Sequence, residues 1–353
     1  MDKVRLGIIG GGRIADLNIL GYLDHPQCKV AAVCDLSEEV ARKRKEEWGA
    51  EWCCTDYKKL LTSPEIDAVE ILTPYDLHAP MVLEAARHGK HVSVQKPMCQ
   101  TLTEADAMIR ACREAGVKFK VFENFIFYPP YRKAKELLDA GEIGEPLSIN
   151  LKMNGGIGGW PVPLKNWMRT LNYEAKTTGG GTNLYDDGFH KLSLARHFFG
   201  EIEVVKAWTD FSLGVIDMPA LVTWSYQDSS VLGVFEVTTS FAMELSGKYY
   251  AADERVEILG TKGYIWLTRC TAKLMEIPPL LLHRKGQTIS FDDMRDDWGD
   301  SFHDCGWDFI DSILEERPPL LSGEQGRAVM QFWLAVKKSY EEKREVRREE
   351  ITG

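Results

Sequence analysis

Residues 3–124 alternate short apolar runs with amphipathic stretches, and no other feature constrains the fold as much. The runs are "VRLGIIG", "KVAAVCD", "AVEILTP", "KHVSVQKP" and "VKFKVFENF". Between them lie "ADLNILGYL", "SEEVARKRKEEW", "APMVLEAARHG" and "EADAMIRACREAG", with Gly89 and Gly116 placed as helix C-cap glycines. Strand and helix in strict alternation call for a parallel sheet with helices on both faces. The first run ends in "GGGRIA". Gly10, Gly12 and Ala15 give a G-x-G-x-x-A pattern: a tight turn, a backbone that a pyrophosphate can approach, and a close helix–strand contact. The following helix N-terminus faces the phosphates. Asp35 closes the second run, 23 residues past Gly12. A carboxylate there accepts hydrogen bonds from an adenosine ribose and repels a 2′-phosphate, so NAD is expected over NADP. The basic run Arg42–Lys45 is read as the wet face of a helix. The bland alternative is a glycine turn with a capping aspartate.

The fourth run carries a second feature. "HVSVQKPMCQ" (91–100) looks like a buried strand yet finishes on Lys96, held by Pro97, a residue open to a cis bond. Ligands of a doubly wound sheet bind beyond the carboxyl ends of its strands, and a lysine there can donate to a substrate oxygen. A surface turn is the plainer account. The third feature is "TTGGGTNLYDDGFHKLSLARHFFG", in which Asp186 and His190 are four residues apart. On a helix both project from one face, and a carboxylate beside an imidazole orients it and raises its basicity. Asp187 competes for the same part, and an N-cap aspartate with a core histidine is the plainer account.

After about residue 125 the pattern changes to longer period-two stretches: "LSINLKM", "EVVKAWTDFSL", "LVTWSYQ", "VLGVFEVTTSF" and "RVEILGTKGYIWL". These predict a largely antiparallel sheet. "HKLSLARHFFG", "HDCGWDFIDSILEER" and "GEQGRAVMQFWLAVKKSYEEKREV" read as helices, and the closing "EEKREVRREE" as a solvated helix end. The expected organisation is an α/β Rossmann domain over 1–124 and an α+β substrate-binding and oligomerisation domain over 125–353.

A chain of 353 residues, 44% hydrophobic, fills two such cores. Its net charge of −10 argues against nucleic acid and anionic membranes as partners. No apolar run reaches membrane-spanning length and "MDKVRLGIIG" lacks a signal peptide's layout, so the cytoplasm is the expected location. The eight cysteines form no CxxC pair, and neither a disulfide framework nor a metal site is expected.

Taken in order, G-x-G-x-x-A, Lys-Pro at the fourth strand end and G-G-x-x-x-x-D-x-G-x-H opening a helix resemble the glucose-fructose oxidoreductase / inositol dehydrogenase / rhizopine-catabolism (Gfo/Idh/MocA) family. "TPYDLHAP" (73–80), "ENFIFYPPY" (123–131), "ELLDAGEIGEPLSI" (136–149), "NWMR" (166–169) and "DFIDSILEERPPLLSGEQGRAV" (308–329) extend the resemblance over nearly the whole chain. The resemblance implies Lys96, Asp186 and His190 as catalytic residues. It implies Gly10, Gly12, Arg13, Ile14, Asp35, Thr73, Pro74, His78, Gln95, Lys96 and Asn124 around NAD. Around the substrate it implies Lys96, Tyr128, Trp160, Trp167, Arg169, Asp186, Asp187 and His190. Trp160 and Trp167 suit the stacking of sugar faces, and "NGGIGGW" (154–160) reads as a mobile substrate loop. The chain departs from the family's pattern at Gln95, where a glutamate is usual, and at Tyr75, where an asparagine is frequent.

The activity so implied is hydride transfer between NAD and a secondary hydroxyl of a sugar, cyclitol or glycoside, in a homodimer or homotetramer joined through the C-terminal sheet. A glycoside-cleaving enzyme working through transient oxidation and a non-catalytic NAD- or sugar-sensing regulator share the fold. A regulator is expected to lose the lysine or the histidine, and this chain keeps both. Tyr131 and Lys135 match the YxxxK pair of short-chain dehydrogenases, but the glycine pattern of that family is absent.

Overall fold

The computed structural model describes residues 3–160, 182–211 and 216–353. Two compact units divide the chain: Met1–Asn124 with Ser301–Met330 and Gly353, and Phe125–Asp300 with Gln331–Thr352.

In the first unit β1 (Val4–Ile9), β2 (Cys28–Cys34), β3 (Trp52–Cys54), β4 (Ala68–Ile71), β5 (His91–Gln95) and β6 (Phe119–Phe122) form one parallel sheet. Their order is β3-β2-β1-β4-β5-β6. The direction of winding therefore reverses between β1 and β4, where a doubly wound sheet opens a crevice for its ligand. The strands are mostly apolar because helices cover both faces. Those helices are α1 (Ala15–Asp24), α2 (Glu38–Trp48), α3 (Tyr57–Thr62), α4 (His78–Arg87) and α5 (Leu102–Glu114). Ser37 caps α2, Asp56 caps α3, and Thr101 with Glu104 forms a capping box on α5. Gly89 and Gly116 adopt the positive φ expected of them. The three-residue β3 and the short α3 carry too little period to be read from the sequence.

Residues 301–330 belong to this unit, whereas the sequence reading gave them to the second. An amphipathic helix announces a buried face but not what covers it. Here the cover is α1: a Cβ on Gly21 would stand 2.2 Å from the His303 carbonyl oxygen and 3.2 Å from the Gly306 Cα. His25 Nε2 meets Asp311 at 3.0 Å and His303 Nε2 meets Asp24 at 3.0 Å. Buried Lys120 of β6 donates to Asp308 Oδ2 (2.7 Å) and the Leu320 carbonyl (2.9 Å).

The second unit begins with α6 (Pro129–Asp139) and β7 (Pro146–Ile157), followed after the undescribed stretch by α7 (Thr182–Phe199) and β8 (Ile202–Thr209). β9 (Ala220–Tyr226), β10 (Ser229–Glu244), β12 (Ala252–Gly260), β13 (Gly263–Leu267), β15 (Leu280–Arg284) and β16 (Gln287–Phe291) complete most of its sheet, with β11 (Ser246–Gly247) and β14 (Ala272–Lys273) paired separately. Helix α8 (Trp298–Leu314) and helix α9 (Gly323–Glu342) follow, then β17 (Val346–Arg347). The nine-stranded order is β16-β15-β13-β12-β7-β10-β9-β8-β17, antiparallel except for β7 beside β10. One face is buried: Ile149, Leu151, Val222, Trp224, Phe235 and Val237, with Tyr185 of α7 packing on Trp333 and Trp224 on Phe332 of α9. The charged terminus is not a solvated helix end. Helix α9 stops at Glu342 and the chain returns as β17 beside β8, because Val346 is one apolar residue among charges and is fully buried.

Candidate active site

The glycine turn at the end of β1 is built from main chain. Gly10 takes φ +104°, and a Cβ there would meet the Leu72 carbonyl at 2.8 Å, so only glycine fits. A Cβ on Gly12 would meet nothing within 4 Å. That open space beside the start of α1 fits a pyrophosphate. Arg13 is exposed next to it and Ile14 is half-buried at the helix N-cap. Asp35 lies at the end of β2, where Oδ2 accepts from the Gly11 amide (2.8 Å) and Oδ1 from Ser37 (2.9 Å). Exposed Leu36 beside it offers an apolar surface that the sequence reading missed. Arg44 departs from the wet-face reading of its run. It donates from Nε to the Gly11 carbonyl (2.9 Å) and from Nη2 to Gly12 (3.3 Å), and pairs with Asp16 at 2.5 Å and Glu47 at 2.8 Å. With its guanidinium 5.2 Å from the Trp48 ring centre, it braces the turn instead of waiting for a 2′-phosphate.

At the ends of β4 and β5, Thr73 is half-buried, Pro74 is exposed and Tyr75 is buried. Lys96 is half-buried, and its bond to Pro97 is cis. His78, expected around NAD, is an interior brace. It is 1% exposed, with Nε2 2.8 Å from the Thr73 carbonyl and Nδ1 3.1 Å from that of Pro97. Burial lowers its pKa, although hydrogen bonds to those carbonyls oppose the shift. Gln95 points inward too: Oε1 accepts from the Lys96 amide (2.8 Å) and Nε2 donates to Asn18 (3.1 Å). Asn124 is buried and donates to Ser301 Oγ at 2.7 Å. In both His78 and Asn124 the side chain is engaged by protein atoms, because each sits where two segments of the first unit meet.

In the second unit, buried Asp217 receives the Leu184 amide at the start of α7. Asp186 and His190 follow on one helical face, with Asp187 beside them, both aspartates half-buried. The His190 ring lies against Phe125, with centroids 4.1 Å apart and planes at 20°. Lys191 approaches the same phenyl ring at 4.0 Å and pairs with buried Glu254. Phe125 also meets Trp298 edge-on at 6.4 Å. Trp298 contacts Tyr249 (5.6 Å) and Tyr250 (5.4 Å), and Trp160 contacts both tyrosines. A continuous aromatic cluster thus runs from His190 to Trp160, buried at Phe125, Trp298 and Tyr249 and exposed at Tyr250. Phe125, Tyr249, Tyr250 and Trp298 were not foreseen, since nothing in the sequence joins 125 to 250 and 298. Tyr128, expected around the substrate, is fully buried and its hydroxyl donates to the Asp296 carbonyl (2.9 Å). "NGGIGGW" is no free loop: a Cβ on Gly158 would meet the Leu245 carbonyl at 2.3 Å, and the Trp160 amide donates to Tyr249 (2.6 Å). Trp167 and Arg169 lie outside the described residues.

The family model described as "Oxidoreductase family, NAD-binding Rossmann fold" matches residues 4–123, and the Gfo/Idh/MocA C-terminal domain matches 131–266. The chain belongs to the Gfo/Idh/MocA oxidoreductases. Among its relatives, myo-inositol 2-dehydrogenase of Thermotoga maritima is 28% identical over 99% of this chain and 100% of its own. The oxidoreductase YrbE of Bacillus subtilis is 30% identical over 74% and 72%. The crystal structure of a probable dehydrogenase from Thermotoga maritima superposes with a TM-score of 0.80 at 27% identity, covering 99% of this chain and all of that one. As a Gfo/Idh/MocA oxidoreductase the protein is an NAD-dependent enzyme, and the turn at Gly10–Gly12 with Asp35 fits that cofactor. Among the described residues no helix is long and apolar enough to cross a membrane.

Proposed function

We propose that this oxidoreductase transfers hydride between NAD and a secondary hydroxyl of a sugar, cyclitol or glycoside. The observation that carries the proposal is the aromatic cluster that holds His190 and reaches exposed Tyr250, since apolar faces of sugar rings pack on exposed aromatic rings. Bound NAD supplies the hydride acceptor at its nicotinamide. His190 takes the hydroxyl proton, and its contact with Phe125 fixes the ring plane. Asp186, one turn earlier on the same face, orients the imidazole. Lys96 donates to the reacting oxygen and stabilises its negative charge as the proton leaves. Gly10, Gly12 and the α1 N-terminus receive the pyrophosphate, and Asp35 the adenosine ribose. The myo-inositol activity named for the Thermotoga relative favours a cyclitol within this class.

The same reading takes the protein as a cytoplasmic homodimer or homotetramer joined through the open face of the nine-stranded sheet. Trp208, Leu221, Leu232 and Leu259 are exposed there, on strands β8, β9, β10 and β12. A panel of cyclitols, aldoses and anhydrosugars followed by NADH absorbance tests the chemistry. NADH formation with at least one polyol is expected. Binding of NAD with no reduction on any polyol, or glycoside cleavage without net NADH, defeats the reading. Light scattering at micromolar concentration tests the assembly, and a monomer overturns it.

A further inference from the structure

Glu70 sits in the middle of β4 with no exposed surface, an unusual place for a carboxylate. Its Oε2 accepts from the Tyr22 hydroxyl (2.6 Å) and its Oε1 from Asn18 Nδ2 (3.3 Å). Asn18 is itself buried and accepts from Gln95 Nε2 (3.1 Å), while Gln95 Oε1 accepts from the Lys96 amide (2.8 Å). The direction of this relay is forced. A backbone amide can only donate, so the Gln95 oxygen faces Lys96 and its NH₂ faces Asn18. Asn18 must then turn its oxygen to Gln95 and its NH₂ to Glu70. The relay ends on Glu70 Oε1, which has to accept from Asn18, while Oε2 meets the Tyr22 hydroxyl.

We propose that Glu70 is a positioning residue for Lys96, acting through Asn18 and Gln95, and that the amide at position 95 is what lets Glu70 remain an acceptor. The proposal rests on the reading of Lys96 given above. Glu70 is faced by Tyr22 and Asn18 from α1, by Ser93 from β5 and, one strand further, by Lys120 of β6. Cys305 of α8 stands close enough to interact with it electrostatically. Burial pushes the carboxyl up to about 7, against the pull of its hydrogen bonds. Glu70 is therefore poised between its two protonation states.

A carboxylate at 95 reverses the relay. It accepts from the Lys96 amide and demands a donor from Asn18, whose oxygen then faces Glu70. Glu70 must hold a proton to donate, or the two carboxylates oppose each other. Gln95→Glu is expected to lower kcat roughly tenfold relative to the parent at pH 8, within the range of coupled buried networks, and to recover towards pH 6. Adding Glu70→Gln supplies an amide that donates to Asn18 and accepts from Tyr22, so the double variant is expected to regain turnover at pH 8. The melting temperature should follow the same pattern: lowered in Gln95→Glu as pH rises, restored in the double variant. A double variant as slow and as unstable at pH 8 as Gln95→Glu, or a Gln95→Glu enzyme whose deficit is independent of pH, overturns the relay. Lys96→Ala is measured alongside. Normal turnover in that variant defeats the catalytic reading, whereas the melting temperatures test the relay whichever way Lys96 falls.

Discussion

The proposed cofactor site and the proposed substrate site of this enzyme are made of different material. At Gly10–Gly12 the working surface is backbone, kept open by the lack of side chains and braced from behind by Asp35 and Arg44. Around His190 it is side chain: an imidazole on the phenyl ring of Phe125, then indoles and phenols of residues 160, 249, 250 and 298. A main-chain site is damaged by adding atoms and a side-chain site by removing them.

His190→Ala removes the proposed base, and turnover is expected to fall by about 10²–10⁴-fold. NAD affinity, read by fluorescence titration, should hold, and a parallel loss of NAD binding would break the contrast. Gly12→Ala is the opposite operation. The added methyl meets no protein atom within 4 Å, so the melting temperature should stay near that of the parent. The methyl fills the space of the pyrophosphate, and NAD affinity should fall by roughly tenfold or more, the loss of at least one charged hydrogen bond. Asp35→Ser deletes the carboxylate proposed to receive the ribose, which also accepts from the Gly11 and Ser37 amides. NAD should bind about tenfold more weakly and the preference over NADP should narrow; an unchanged ratio of the two dissociation constants counts against the ribose assignment.

Tyr250→Ala opens the aromatic surface at its exposed end. KM for the polyol should rise roughly two- to tenfold, the range of one aromatic contact, with kcat nearly kept. Glu70→Gln gives the smallest effect, seen in stability against pH. The folded carboxyl titrates at about 7, raised by burial from 4.5. A raised carboxyl favours the folded state while protonated and loses that advantage as pH climbs from the unfolded value to the folded one. The melting temperature of Glu70→Gln should accordingly gain on the parent between about pH 4.5 and 7 and run parallel above. A constant difference across that window would mean that Glu70 does not titrate there.

The same contrast governs how much was legible in the sequence. The turn at Gly10, the carboxylate at Asp35 and the Lys96-Pro97 strand end are local: each needs particular residues within a short window, and the parallel sheet and helix caps follow from short-range pattern. His190 and Asp186 were visible for the same reason, as an i,i+4 pair. Phe125, Tyr249, Tyr250 and Trp298 were not, because each is an ordinary aromatic residue until the fold joins them. Polar residues show the other side of this. His78, Asn124 and Tyr128 lie in stretches that resemble the family's site, but their side chains turn inward to carbonyls and a serine. Arg44 looked like part of a wet face until its guanidinium was found on the glycine turn. Glu70, one charge in the apolar run "AVEILTP", was a legible anomaly, and its partners at 18, 22 and 95 were not.

The return of residues 301–330 to the first unit has a consequence in time. Translation at about 5–20 residues per second lets most domains close soon after they emerge. Here the groove beside Gly21 and the ammonium of Lys120 wait for His303, Gly306 and Asp308, which follow Asn124 by about 180 residues. At that pace roughly 9–36 seconds pass while the second unit is being made. During this interval the nascent nucleotide-binding sheet carries an uncovered apolar flank and a lysine that Asp308 has not yet reached, which is when a chaperone or an aggregation partner would meet it.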